Sequence, residues 1–135
     1  MLFRSFLRGL GADELVDYRT TDYAEAVRDV DVVLDPLGGP ESVRSLGTLR
    51  DGGLLVTLLP IGVPELRAEA ERRGVRATGM LVEADHAGMA AVARLIEEGA
   101  LRVTVAGTFP LAEAAKAHTS LETGRTTGKL VLTVR

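Results

Sequence analysis

Apolar residues in this chain fall into short unbroken runs, and the segments between them repeat apolar positions at helical spacing. Val30 to Asp35 (VDVVLD) and Leu54 to Leu59 (LLVTLL) lack the alternation of a half-solvated strand, and Val75 to Val82 and Lys129 to Val134 (KLVLTV) also read as strands. The first two read as strands covered on both faces, the pattern of a parallel sheet. Between them, Val43, Leu46 and Leu49 trace one helical face, and Met89, Val92, Ala93 and Ile96 trace another. The punctuation agrees. Pro40 stands where a first helical residue belongs, its missing N–H costing nothing there. Asp51-Gly52-Gly53 is expected to break the chain before the second run, Asp85 caps the helix that Glu98-Gly99 closes, and Asp22 with Glu25 forms a capping box for a short helix ending near Arg28.

The same reading places an opening helix with Phe3, Phe6, Leu7 and Leu10 on one face, stopped at Gly9 or Gly11. It also places a short strand over Glu14 to Tyr18 and a charged helix over Glu65 to Arg73. In the tail, Leu101 to Phe109 is strand-like and contains Gly107. Leu111, Ala114, Ala115, His118 and Leu121 share a helical face, which leaves His118 part-buried and hydrogen-bonded, and Gly124 ends that helix. Strand, helix, strand, helix through the middle predicts an α/β fold, a parallel sheet with helices on both faces joined by right-handed crossovers.

Composition narrows the function. With 135 residues, 46% of them apolar, and a mean hydropathy of +0.15, one domain over residues 1–135 is expected, with no repeat, low-complexity run or linker. Sixteen basic and nineteen acidic residues leave a net charge of -3 without a basic stripe, which argues against nucleic acid as a partner. No apolar stretch approaches the roughly 20 residues of a membrane span. The basic, apolar opening MLFRSFLRGLG fits a targeting peptide less well than a helix, because Arg4 and Arg8 interrupt it, so a cytoplasmic chain is expected. The absence of cysteine removes thiolate chemistry, and the two histidines are far apart in sequence, so no metal site is expected. The richest chemistry sits at Val30 to Pro40, where a strand ends in an acid and opens into a glycine-rich turn before a helix. A parallel sheet offers backbone amides to a ligand at such an edge. Asp35 fits a turn former better than a general base, since strand-end acids bind backbone amides.

Four segments carry a resemblance: LGADELVDYRTTDYAEA, VDVVLDPLGG, GGLLVTLLPIG and FPLAEAAKAHTSLETGRTTGKLVLTV. Their order and spacing resemble the C-terminal half of the medium-chain dehydrogenase/reductases, in particular the zinc-independent, quinone oxidoreductase-like branch of the zinc-binding dehydrogenase family, from about Leu7 to Val134. The resemblance implies a Rossmann-type domain binding NAD or NADP, preceded in the family by a barrel that supplies much of the pocket for a quinone or small carbonyl substrate. It implies that Asp35, Pro36, Leu37, Gly38 and Gly39 form the loop after the family's fourth strand. By the same likeness, the loop of Leu59, Pro60, Ile61 and Gly62 holds the nicotinamide carboxamide through its backbone. Tyr18 is similar in position to the tyrosine flanking the 2′-phosphate of NADPH, although an exposed aromatic at a strand end looks the same in sequence. Arg125 lies beside the family's terminal phosphate contact and equally suits a solvated helix-end turn. Lys129 matches the family's terminal GK and equally suits a strand-edge lysine. No residue is assigned a catalytic role.

Departures from the family matter as much. Its first two strands and its GxGxxG-type turn would precede Phe3, so the expectation is an N-terminally truncated member that alone binds dinucleotide weakly or not at all. In the order 3-2-1-4-5-6, that leaves the strand at Leu15 to Tyr18 roughly 14 Å from the one at Val32 to Asp35. An open apolar edge of this kind favours self-association, so a homo-oligomer is expected. A non-catalytic assembly module is the alternative to an oxidoreductase fragment.

Overall fold

The computed structural model describes residues 2–59 and 61–134, and side chains from residue 4 onward. The chain divides into two compact units, Arg4–Glu83 and Ala84–Arg135, the latter grouped with residues 1–3.

The first unit is a three-stranded parallel sheet of order β1-β2-β3, formed by β1 (Val30–Asp35), β2 (Leu49–Thr57) and β3 (Arg76–Gly79). Two helices precede the sheet, α1 (Leu2–Gly9) and the single turn α2 (Tyr23–Ala26). The crossovers are α3 (Pro40–Ser45), continued by a 3₁₀ turn at Leu46–Thr48, and α4 (Val63–Arg72). The ladder sets Asp35 beside Thr57 and Thr57 beside Gly79, so the three strands end level. Because side chains alternate along a strand, this register gives the sheet two unlike faces. On one face Leu55, wholly buried, meets Leu46, Leu66, Ala70 and Val75, with Val33, Leu49 and Ala77 packed against them. On the other, Leu54 and Val56 are half-buried, while Val32 and Leu34 in β1 are 56% and 64% exposed. Among the described residues β1 pairs with β2 alone.

Three local expectations need correction. No strand forms over Glu14 to Tyr18. A strand exists only through a neighbour's hydrogen bonds, and no described strand lies on the outer side of β1 to pair with it. Asp17 instead organises a turn, its carboxylate accepting from the Arg19 amide and the guanidinium groups of Arg4 and Arg19. The Asp51-Gly52-Gly53 segment lies inside β2 rather than before it. The ladder passes from Val30 beside Leu49 to Val32 beside Leu54, so the extra residues form a bulge, and Gly52 adopts a φ of 71° there. The opening helix stops at Gly9, leaving Leu10 beyond it and exposed, with Phe6 and Leu7 half-buried.

The second unit contains α5 (His86–Glu97), β4 (Val105–Pro110), a 3₁₀ turn at Leu111–Glu113, α6 (Ala114–Glu122) and β5 (Lys129–Thr133), with β4 and β5 paired in parallel. Asp85 caps α5 as expected, accepting from the amides of Ala87 at 3.0 Å and Gly88 at 2.9 Å. The inward residue of α6 is Ala117, and His118 is exposed rather than part-buried. The packing face passes through Ala114, Ala117 and Ser120, one position away from the stripe read in sequence. Gly128, at a φ of 107°, brings the chain so close to β4's approach that a Cβ there would lie 2.5 Å from the Thr104 carbonyl oxygen. No helix among the described residues is long and apolar enough to cross a membrane.

The unequal faces of the sheet give an expected outcome. Leu55→Ala should cost about 2–5 kcal/mol in urea unfolding because it empties the centre of the core, whereas Val32→Ala should change the midpoint little.

Candidate functional site

The carboxyl ends of β1 and β2 carry the two loops singled out in the sequence, and the fold places them side by side. At Gly38, with a φ of 72°, an added Cβ would stand 3.0 Å from the Leu59 Cβ, so the first loop can lie against the second only through a residue without a side chain. Gly39 follows at a φ of 63° with open space where a Cβ would go, and Pro40 occupies the first turn of α3.

Asp35 sets the first loop. The residue is 5% exposed, and its carboxylate accepts from the Leu37 amide at 2.8 Å, from the Gly38 amide at 3.1 Å and from the Ser42 hydroxyl. Burial pushes the Asp35 carboxyl up. The hydrogen bonds from Ser42, Leu37 and Gly38 outweigh it and hold the group below the usual aspartate value. A carboxylate so occupied is a turn former rather than a base, as its place at a strand end suggested. In the second loop, the Thr57 hydroxyl accepts from the Leu59 amide at 3.2 Å. Both strand ends are therefore closed by side chains from within the sheet.

Beyond the loops, α3 and α4 flank a cleft of about 350 Å³ lined by residues that include Gly39, Ser42, Ile61, Gly62 and Glu65. Ile61 in this lining is 87% exposed, and Glu65, Glu69 and Arg72 bring charge to the same cleft, while Leu37 is exposed on the first loop outside it. Leu59 borders the loop contact, and Pro60 lies outside the described residues. Tyr18 sits in a polar turn, 79% exposed, and is not among the residues lining the cleft. Arg125 belongs to the second unit, where its amide is held by the Thr123 hydroxyl at 3.2 Å and its side chain is exposed.

A set of residues that the sequence reading passed over lies behind the first loop. The Tyr23 hydroxyl donates to the Glu41 carboxylate at 2.8 Å and lies 3.1 Å from the Ser45 hydroxyl. The Arg44 guanidinium is 5.2 Å from the Tyr23 ring centroid and pairs with Asp22 at 2.7 Å and with Glu41 at 3.2 Å. Burial, with further help from Glu41, raises the Tyr23 hydroxyl pKa. The sequence signal was Asp22-Tyr23 followed by a helix bearing Glu41, Arg44 and Ser45 at single-turn spacing.

Residues 10–132 match the family described as zinc-binding dehydrogenase. The chain belongs to that family. It is similar to the quinone oxidoreductase of Coxiella burnetii, whose solved structure it matches with a TM-score of 0.87 at 33% identity, over 97% of this chain and 42% of that one. A 2-haloacrylate reductase of Burkholderia sp. is 33% identical over 93% of this chain and 43% of its own length. A mitochondrial NAD(P)H oxidoreductase of Mus musculus is 29% identical over 95% of this chain and 38% of its own. The chain thus spans about two fifths of the length of these relatives, and the observed α/β architecture matches the nucleotide-binding half of zinc-binding dehydrogenase family members. Among the described residues no three His, Cys, Asp or Glu side chains cluster in a way that could hold a metal ion.

Because the folded pKa of Asp35 lies below its ordinary 3.8, its stabilising contribution is complete above pH 3.8 and is lost as pH falls through the folded value. Acid unfolding should show this loss, and Asp35→Asn should flatten it. At neutral pH, Asp35→Ala strands two amides and a hydroxyl and should cost about 1–3 kcal/mol by urea unfolding.

Proposed function

We propose that this chain forms the nicotinamide side of an NAD(P)H site in a cytoplasmic oxidoreductase that passes hydride to a quinone, enone or other carbonyl-like acceptor. The observation that carries this reading is the juxtaposition of loops 35–39 and 59–62 at the carboxyl edge of a parallel sheet, where doubly wound folds take their ligands. The names of the relatives support the chemistry: a quinone oxidoreductase, a 2-haloacrylate reductase and an NAD(P)H oxidoreductase.

Bound cofactor would supply the hydride, and this chain's residues would bind and orient it. Gly39 and Gly62 line the cleft without side chains, so a flat ring and its carboxamide could approach the backbone there. Leu37, Leu59 and Ile61 would give the ring an apolar wall. Pro36 would stiffen the first loop, and the Asp35 carboxylate would hold it from beneath. Tyr18 and Arg125 are assigned to the phosphate end through the family likeness. Titration of NADPH fluorescence tests this reading. Gly38→Val forces a branched side chain into a left-handed position 3.0 Å from Leu59 and should weaken binding roughly tenfold, the cost of about 1–2 kcal/mol of backbone strain. Absence of any saturable change at millimolar NADPH, both with the unaltered chain alone and with a separately expressed N-terminal half added, would sink the reading.

A second reading, assembly of copies through an open sheet edge, is favoured by one observation: Val32 and Leu34 are exposed on a strand with a single described neighbour. Sedimentation at micromolar concentration should then reveal species larger than a monomer, and Val32→Lys with Leu34→Lys should shift them toward monomer. A sharp monomer boundary for the unaltered chain would remove this reading.

A further inference from the structure

The Tyr23 cluster is not explained by the core, and its bonds lead to the candidate site. On one side, the Tyr23 hydroxyl reaches Glu41 at 2.8 Å and Ser45 at 3.1 Å, both on α3. Arg44, also on α3, lies over the same ring and closes onto Asp22 at 2.7 Å. Asp22 is the cap of α2, accepting from the Ala24 amide at 2.9 Å, so α2 and α3 are tied at three points. On the other side, Ser42 of the same six-residue helix donates to Asp35, and Asp35 takes the amides of Leu37 and Gly38. A helix this short has little rigidity of its own. Its orientation is set by what grips it at each end.

We propose that Tyr23 is a positioning residue for the loop at Leu37 and Gly38, acting through α3, Ser42 and Asp35. This rests on the reading of that loop as a cofactor contact only where binding is concerned; the mechanical coupling stands on the hydrogen bonds alone. Tyr23 is not among the residues lining the cleft and would touch neither cofactor nor substrate. Its role resembles that of outer-shell partners that orient the groups contacting a ligand.

Tyr23→Phe separates this from a merely structural role, because it keeps the ring beneath Arg44 and removes only the hydroxyl. In amide NMR spectra of the full chain, Tyr23→Phe should displace the Leu37 and Gly38 amide signals while leaving the core signals of Leu55 and Val75 in place. Ser45→Ala, which deletes one of the hydroxyl's partners, should move the same two signals in the same direction by less, and it carries the test if Tyr23→Phe does not fold. NADPH affinity, read separately by fluorescence, should fall about fivefold in Tyr23→Phe, the equivalent of one lost hydrogen bond. Unmoved Leu37 and Gly38 signals in both variants would overturn the inference whatever the cofactor does. Displaced signals with no saturable NADPH response, alone or with the N-terminal half supplied, would support the coupling and overturn the cofactor reading instead.

Discussion

A buried carboxylate that accepts from two backbone amides and a hydroxyl is the constraint on which the rest of the first unit depends. Without Asp35, the chain leaving β1 would have to turn into α3 with its amides at 37 and 38 unpaired, the second of them buried. With it, the turn is closed, the two glycines adopt conformations that other residues resist, and Leu59 comes to rest against Gly38. The neighbouring strand end follows from the same register, since Asp35 and Thr57 stand opposite each other and both close their own loops.

That local closure explains why the site was legible in the sequence while the sheet around it was less so. An apolar run ending in Asp, then Pro-Leu-Gly-Gly-Pro, contains its own partners within seven residues, because Ser42 lies only two residues beyond Pro40. The helix starts at Asp22, Pro40 and Asp85 were readable for the same reason: a cap is a contact between near neighbours. The strand expected at Glu14 to Tyr18 was a different kind of inference. Its residues have strand propensity, but a strand is completed by a remote edge, and propensity does not supply one. Asp51-Gly52-Gly53 misled in the opposite direction, since breaker residues entered β2 as a bulge once β1 fixed the register.

The Tyr23 cluster shows a third case. Each of its members, Asp22, Tyr23, Glu41, Arg44 and Ser45, looks like an ordinary surface residue of a short helix when read alone. Eighteen to twenty-two positions separate the partners, so only the packing of α2 on α3 reveals that they meet. Long-range polar clusters of this kind leave no periodic trace, unlike the core positions Leu46, Leu55 and Leu66, which the apolar pattern exposed directly.

These two kinds of support bear differently on the open face of β1. Val32 and Leu34 lack cover on their side of the sheet, and burying them would add stability at about 25 cal/mol per Å² of apolar surface removed from water. The loop after Asp35 draws none of its shape from that face. Its amides are held from the covered side, through Asp35 and Ser42, and its approach to Leu59 is fixed by β2. Whatever lies against Val32 and Leu34 therefore changes how firmly β1 is held in the sheet before it changes the geometry of the loop. Tyr18 differs: its turn is organised by the backbone and carboxylate of Asp17 with Arg4 and Arg19, and its own side chain is 79% exposed.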